Sequence, residues 1–410
     1  MRIFCAVRHS VDPRRYYGGL WSGNFYPGLR QLGHEIVESQ TDLLLNSCFM
    51  DVPGSLTQEE LGVRSRTTED ILNEVRAAHR HAPIDLFLSY FYNAHFDPVG
   101  FDEVRRMGIP SVNFYCNSIH QFELVAEVAA KVDFAWHTEK SARQDYIAIG
   151  AKPIWVQMGA DPALYHPILG SDRSPRACFV GQRYADRDRW IASLIGAGVP
   201  VEVYGAGWEF SASAVRSADT ASGESQTAPL GRKREAPGSL RSYIVAARQN
   251  MGRNGVVSGV LRSLRQWNYK RETRSLTPVV APSARGPFRG EIAAVFGQYE
   301  VCLNFSNVWS DGRPGSPLIP HVRLRDFEAP MCRSCYLTGH TEEITECFEV
   351  GREIDTYRSQ EELADKARFF LNHPESAEKM REAGYQRAFR DHTWKCRFAE
   401  LFQKIGLSHA

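Results

Sequence analysis

The chain has 410 residues, 43% of them apolar and 24% charged, with a net charge of +1. This is ordinary globular composition, long enough for two or three domains, and the near-neutral balance gives no reason to expect nucleic-acid binding. No run reaches the roughly 18 apolar residues of a membrane-spanning helix. The opening stretch Met1–Val7 is short and is closed at once by Arg8 and His9, so it reads as a first strand rather than a signal peptide. The nine cysteines form an odd set without framework spacing, which suggests reduced thiols in a cytoplasmic protein. Cys332 and Cys335 alone have C-x-x-C spacing. With no second pair to complete a zinc set they read as two packed thiols, and no metal is expected.

In chain order, Arg2–Val7 reads as a strand and Tyr16–Gly19 as a glycine-rich loop. A helix over Asn24–Gly33 and a strand over Glu35–Glu38 follow. Thr68–His79 carries Ile71, Leu72, Val75 and Ala78 at helical spacing. Next come strand Ile84–Phe91, helix Asp102–Met107, strand Pro110–Tyr115, helix Phe122–Lys131, strand Phe134–His137, helix Ser141–Ile149 and strand Pro153–Met158. Alternation of this kind implies a mostly parallel sheet covered on both faces.

A second unit starts after the linker His166–Pro175. It opens with strand Ala177–Val180, a turn at Gly181, helix Asp186–Ile195 and strand Val201–Tyr204, the last stopped by Gly205. Ser211–Glu235 is rich in Ser, Ala and Thr and reads as a loop. Helical periodicity returns over Leu240–Trp267. The stretch from about residue 211 to 290 carries a charge of +10, leaving about −9 for the rest. Alternation then resumes with helix Glu291–Phe296, strand Glu300–Phe305, helix Leu324–Met331, strand Cys335–Thr338 and helix Glu342–Phe348. Helices Ser359–Leu371, Pro374–Ala388 and Thr393–Ile405 close the chain, the first opened by Ser359 and Glu362 as a capping box.

Ligands of open parallel sheets bind at the carboxyl ends of strands, so the chemistry belongs in the loops there. In the last third, V-R-L-R-D-F-E-A-P (322–330) leads to C-Y-L-T (335–338), F-E-V-G-R-E-I (348–354) and E-E-L (361–363). Earlier come F-V-G (179–181), V-Y-G-A-G-W (203–208), L-G-H-E (32–35) and G-A-D-P (159–162). In this order and spacing the chain resembles the group-1-type GT-B glycosyltransferases. It is most similar to the branch that also holds CgeB-like spore-maturation proteins. The resemblance covers nearly the whole chain apart from roughly residues 211–290.

That resemblance implies an α/β GT-B fold of two facing Rossmann-like domains with a basic, partly helical insert in the second. An acceptor domain would span residues 1–165 and a donor domain residues 174–390, with the segment 391–410 packing back across the cleft. The reaction implied is transfer of a sugar from a nucleotide-diphosphate sugar to an acceptor hydroxyl, with the nucleotide sugar as substrate and no cofactor or metal. Glu328 would match the carboxylate that accepts the donor ribose hydroxyls, the alternatives being a helix cap or a pair with Arg325. Arg323 and Arg325 would lie beside the diphosphate, or else form a solvated helix face. Gly181 and Gly205 would let backbone approach the donor, or simply make turns. Pro320 stands where related enzymes carry a second glutamate, and Arg333 where they carry glycine, which puts sugar contacts and stereochemistry in doubt.

On the acceptor side, Asn117 and His120 directly follow a strand. His120 is a candidate general base, since an imidazole titrates near neutral pH; it also reads as a hydrogen-bonded histidine at a helix start. Asn117 would orient substrate or cap that helix. Gly18 and Gly19 would approach the transferred group or form a turn, and His137 is a weaker candidate. The basic insert reads either as a solvated helical hairpin or as a surface for peripheral contact with an anionic membrane or a phosphorylated acceptor. Two other functions stay open: a nucleotide-sugar epimerase on the same scaffold, and a non-catalytic binding protein, which Pro320 and Arg333 would favour.

Overall fold

A computed structural model describes residues 1–10, 16–50, 56–168, 173–210, 256–288 and 290–407. The loop expected at Ser211–Glu235 and the first part of the helical stretch expected from Leu240 lie outside these residues. The chain divides into two compact units. Unit 1 comprises Met1–Asp161 with Asp391–Ala410, and unit 2 the described residues between Pro162 and Arg390.

Unit 1 is built on six parallel strands: β1 (Arg2–Ala6), β2 (Glu35–Glu38), β3 (Leu86–Ser89), β4 (Ser111–Tyr115), β5 (Phe134–His137) and β6 (Pro153–Trp155). Their order is β2-β1-β3-β4-β5-β6. The strands are short and mostly apolar because both faces of a parallel sheet are covered. The covering helices include α1 (Tyr16–Gln31), α2 (Gln58–His81) and α3 (Gly100–Arg106). Thr57 and Glu60 form the reciprocal cap that starts α2.

The glycine-rich loop expected at Tyr16–Gly19 is instead the first turn of α1, so Gly18 and Gly19 are helical residues. Glycine disfavours a helix interior, but Trp21, Phe25 and Leu29, four residues apart, form one buried face. Packing of that face overrides the local preference. The expected helix Phe122–Lys131 is broken into a turn of 3-10 helix at Phe122–Leu124 and a short helix at Ala126–Ala129.

The core of unit 1 is aromatic. Phe25 meets Trp394 at 4.8 Å and Phe398 at 5.2 Å, edge to face. Phe114 lies 4.6 Å from both Trp21 and Trp136. Trp394 and Phe398 come from α10 (Trp394–Ile405), so the end of the chain completes the first unit's core. Trp394 Nε1 donates to Asn24 Oδ1 at 3.0 Å. At Gly28 a Cβ would come within 3.0 Å of Lys395 N and Trp394 C, so only glycine lets the two helices approach this closely.

Unit 2 carries five parallel strands, β7 (Ser174–Val180), β8 (Val201–Tyr204), β9 (Tyr299–Asn304), β12 (Tyr336–Gly339) and β13 (Asp355–Tyr357), in the order β13-β12-β9-β7-β8. A two-stranded antiparallel hairpin, β10 (Asn307–Trp309) with β11 (Leu318–Pro320), stands beside it. This hairpin and β13 were not foreseen, being only three residues per strand. The helices include α4 (Arg187–Gly196), α5 (Val256–Val280), α6 (Ile292–Gln298), α7 (Arg325–Met331), α8 (Gln360–Asn372) and α9 (Pro374–Asp391). Phe179, Val203, Trp208, Leu303 and Leu337 are among the residues of its core. Cys332 and Cys335 are buried as free thiols, Cys335 Sγ lying 3.8 Å from Met380 Sδ.

Candidate functional site

In unit 2, β7 leads to β8 on one side while β9 lies on its other side, so connections diverge between β7 and β9. Ligands of open α/β sheets bind outside the carboxyl ends at such a switch point. Gly181 follows β7 there. Its N–H donates to Tyr204 O at 2.8 Å and its carbonyl accepts from Trp208 Nε1 at 2.8 Å. Gly205, with φ of +133°, crosses so near that a Cβ would stand 2.3 Å from Gly181 O. What requires glycine at 205 is therefore backbone crossing backbone, beyond any approach of a ligand.

Arg187, the first residue of α4, was not singled out in the sequence. It is 7% exposed, stacked over the rings of Phe179 (5.0 Å) and Tyr184 (5.7 Å). One Nη donates to Gln182 O, and Nε is buried without a partner. Burial, and next the charge of Arg323, pull its pKa down to about 9. A guanidinium held this way, beside a second one and bonded to no carboxylate, favours an anion.

Arg323 lies in the loop before α7. Its Nη2 donates to Asn307 O at 3.3 Å, at the start of β10. Its backbone N–H donates to Asp326 Oδ2 at 2.6 Å. Asp326 is buried and also accepts from Thr338 Oγ1 (2.7 Å), Tyr336 OH (2.9 Å) and Asn304 Nδ2 (3.2 Å). Burial pushes its carboxyl above the usual range although these bonds pull the other way. Asp326 thus ties the Arg323 loop to β9 and β12.

Arg325 and Glu328 form an ion pair one turn apart on α7. Glu328 is 1% exposed, and its Oε2 is the oxygen that Arg325 engages. Arg325 Nε also reaches Val180 O at 3.4 Å, and its guanidinium lies over Phe296. The structure therefore brings Gly181, Arg323 and Arg187 to the switch point, with Arg325 joined to Glu328 behind them.

The two departures from the family pattern differ in kind. Arg333 has φ of +57° and follows the C-cap of α7, Cys332. That is the left-handed position where helices commonly end in glycine. Arg333 holds it with ion pairs to Glu378 and Glu382, so a backbone demand explains the glycine usual there. Pro320 is the exposed last residue of β11.

In unit 1 the switch point lies between β1 and β3. His9 follows β1 and stacks on Tyr90 with ring centroids 4.8 Å apart and planes at 1°. Its Nε2 lies 2.7 Å from Tyr90 O. A carbonyl only accepts, so Nε2 carries the hydrogen and Nδ1 is the basic nitrogen. His95 packs 4.3 Å away, accepting from Tyr92 N–H at Nδ1 (3.1 Å) and facing Ser47 Oγ with Nε2 (3.2 Å). Burial drives the His9 pKa down to about 4 and that of His95 well below its ordinary value.

His120 sits half-buried in the short helix Ser118–Gln121 after β4, two strands along the same sheet edge from His9. Asn117 precedes that helix without a side-chain cap bond, while its carbonyl accepts from Gln121 N–H at 2.9 Å. His137 is buried, with Nδ1 2.9 Å from Glu139 O and its ring stacked on Tyr146. Gly18 and Gly19, inside α1, offer no loop backbone to a substrate.

Among known proteins, a family described as glycosyl transferase-like matches residues 234–403. No curated protein sequence matches the chain. Among solved structures, sucrose-phosphate synthase from Thermosynechococcus elongatus is similar over 99% of both chains at 11% identity, with a TM-score of 0.55. Anabaena HepE in complex with UDP and glucose gives the same coverage, identity and TM-score. A glycosyltransferase from Rickettsia africae matches 100% of this chain and 99% of its own at 9% identity and a TM-score of 0.58. The chain thus has the GT-B fold, and its residues 234–403 are similar to the glycosyl transferase-like family.

Proposed function

We propose that this chain is a glycosyltransferase that moves a sugar from a nucleotide-diphosphate sugar to an acceptor hydroxyl. The observation that carries this reading is the pair of arginines at the switch point of unit 2. Arg187 is buried, stacked and bonded to no carboxylate, beside Arg323 on a loop tied down by Asp326. Guanidinium forks match a diphosphate and stabilise it as it leaves. Glu328 offers its second carboxylate oxygen to the donor ribose, and Arg325 holds the first. HepE, which shares the fold, is known in complex with UDP and glucose, so UDP-hexoses are the first donors to test.

In the reaction the acceptor oxygen attacks the anomeric carbon and the bond from that carbon to the phosphate oxygen breaks. The nucleotide diphosphate departs with the electron pair, and the acceptor proton passes to a base. The arginines supply the charge that a metal would otherwise supply, so chelators should leave transfer unchanged. The nine free cysteines fit a reducing, cytoplasmic setting.

Thermal titration with UDP, GDP, dTDP and their sugar conjugates tests the reading. One nucleotide should raise the melting midpoint, by about 2.7 kcal/mol of stabilisation at a hundredfold excess over Kd. Arg187→Met and Glu328→Gln should each abolish or sharply weaken the rise. If no nucleotide moves the midpoint of the native protein at millimolar concentration, the donor site is wrong. Epimerised sugar without any acceptor would assign the scaffold to an epimerase instead.

A further inference from the structure

Taking the switch point of unit 2 as the donor site, we propose that Asn307 and Asp186 are its positioning residues: through them the β10–β11 hairpin holds the Arg323 guanidinium beside that of Arg187, and the fixed pair selects a diphosphate over a monophosphate. Asp186 immediately precedes Arg187 in the chain. Its Oδ2 accepts from Trp190 Nε1 at 2.8 Å and from Asn307 Nδ2 at 2.7 Å. Asn307 is the first residue of β10, and its main-chain carbonyl accepts from Arg323 Nη2 at 3.3 Å. One residue therefore joins the segment that carries Arg187 to the side chain of Arg323. A second tie lies two residues along the strand. Trp309 N–H donates at 3.1 Å to the hydroxyl of Tyr184, whose ring packs against the Arg187 guanidinium at 5.7 Å.

The hairpin that makes these ties is itself braced. At its base His321 N–H donates to Ser306 O at 3.0 Å, two residues before Arg323. Along α5, Tyr269 meets Trp309 edge to face at 5.0 Å and Arg262 pairs with Asp311. Gly315, with φ of +88°, brings the hairpin loop so close to α5 that a Cβ would lie 2.7 Å from Gln266 N. Bracing matters because two guanidiniums side by side repel. Burial first, and then the charge of Arg323, lower the proton affinity of Arg187. An unheld Arg323 side chain would swing toward water, and a ligand would have to order it on binding. Held at Asn307 O, it is ordered before the ligand arrives. A diphosphate reaches the two guanidiniums with separate phosphoryl groups and gains the charge-assisted bonds of each. A monophosphate has one such group to divide between them.

Calorimetric titrations at neutral pH test this, with the diphosphate and the monophosphate of uridine, guanosine and thymidine as probes. The native chain should prefer one diphosphate to its monophosphate. Asn307→Ala removes the amide that anchors the carbonyl to Asp186. It should cut that preference roughly tenfold, the worth of one hydrogen bond to a charged group, and leave the monophosphate affinity little changed. Asp186→Ala should act alike. Asp186→Asn keeps an oxygen for both donors and removes only a negative charge, so both nucleotides should bind more tightly while the preference stays native. Partial unfolding would lower both affinities together, so the ratio separates positioning from a loss of fold, and melting curves check the fold independently. A native-size preference in Asn307→Ala and Asp186→Ala, or an equal fall for both nucleotides, would overturn the inference and leave the donor site in place. So would a native chain that binds nucleotide without preference, or a preference that Asp186→Asn loses as fully as Asp186→Ala, since charge rather than the bond to Asn307 would then be responsible. A native chain that binds none of these nucleotides overturns the donor site and this inference with it.

Discussion

Arg187 and Arg325 carry the same group and end in opposite situations. Arg325 has a carboxylate one turn away on its own helix, whereas Arg187 is buried with only a carbonyl and two aromatic faces. A buried charge without a carboxylate partner costs stability unless a ligand supplies one. Arg187→Met should therefore raise the melting point of the ligand-free protein while removing stabilisation by nucleotide, a split that calorimetry would show. Gly205→Ala should destabilise unit 2 by more than about 2 kcal/mol, because both its dihedral and its contact with Gly181 O exclude a side chain; chemical denaturation checks this. His9 gives a pH signature. Its unfolded imidazole takes up a proton near 6.5, but the folded one only near 4. Between those values the unfolded chain binds the extra proton, so the stability present above pH 6.5 is lost as pH falls toward 4. Melting curves across that window should show the loss, and His9→Gln should flatten part of it. Sequence motifs pointed to Arg323 and Gly181, which the fold brings to the switch point. Arg187 is one basic residue among 49, and only folding tells which of them is buried. Arg333 looked like a departure from a functional pattern, yet what its position asks for is a left-handed backbone.

Helices and strands were legible where apolar spacing was strong. β5 and β8 lie where the sequence placed them, at Phe134–His137 and Val201–Tyr204. The start of α8 was legible too: Ser359 Oγ accepts from Glu362 N–H at 3.2 Å, while the Glu362 carboxylate reaches back to Arg358 N–H at 2.8 Å. Ser359→Ala should cost about 1 kcal/mol, measurable by denaturant melts. What could not be read were elements decided by distant partners. The early turns of α1 contain two glycines and form because Trp21 and Phe25 pack against residues of β4, β5 and α10. The hairpin of β10 and β11 has no alternation long enough to detect, and its loop is shaped by contact with α5.

For the whole molecule, the notable fact is which residues complete which core. Trp394 and Phe398 are buried in unit 1, joined to it by the main-chain bonds Ala160 N–H to His392 O (2.9 Å) and Trp394 N–H to Ala160 O (3.2 Å). At Gly159 a Cβ would stand 2.9 Å from His392 O. Trp394→Ala should cost about 3–5 kcal/mol as a cavity at the centre of this cluster. A fragment of residues 1–161 should bind hydrophobic dyes and aggregate, and adding a peptide of residues 391–407 should restore a cooperative melt. The same arrangement constrains the order of assembly on the ribosome. Unit 1 is translated first, yet its last helix is made only after every residue of unit 2 has been polymerised. The nascent chain must therefore carry an unfinished aromatic surface throughout the synthesis of some 229 intervening residues (162–390). During that interval unit 2 is free to fold first, although it comes second.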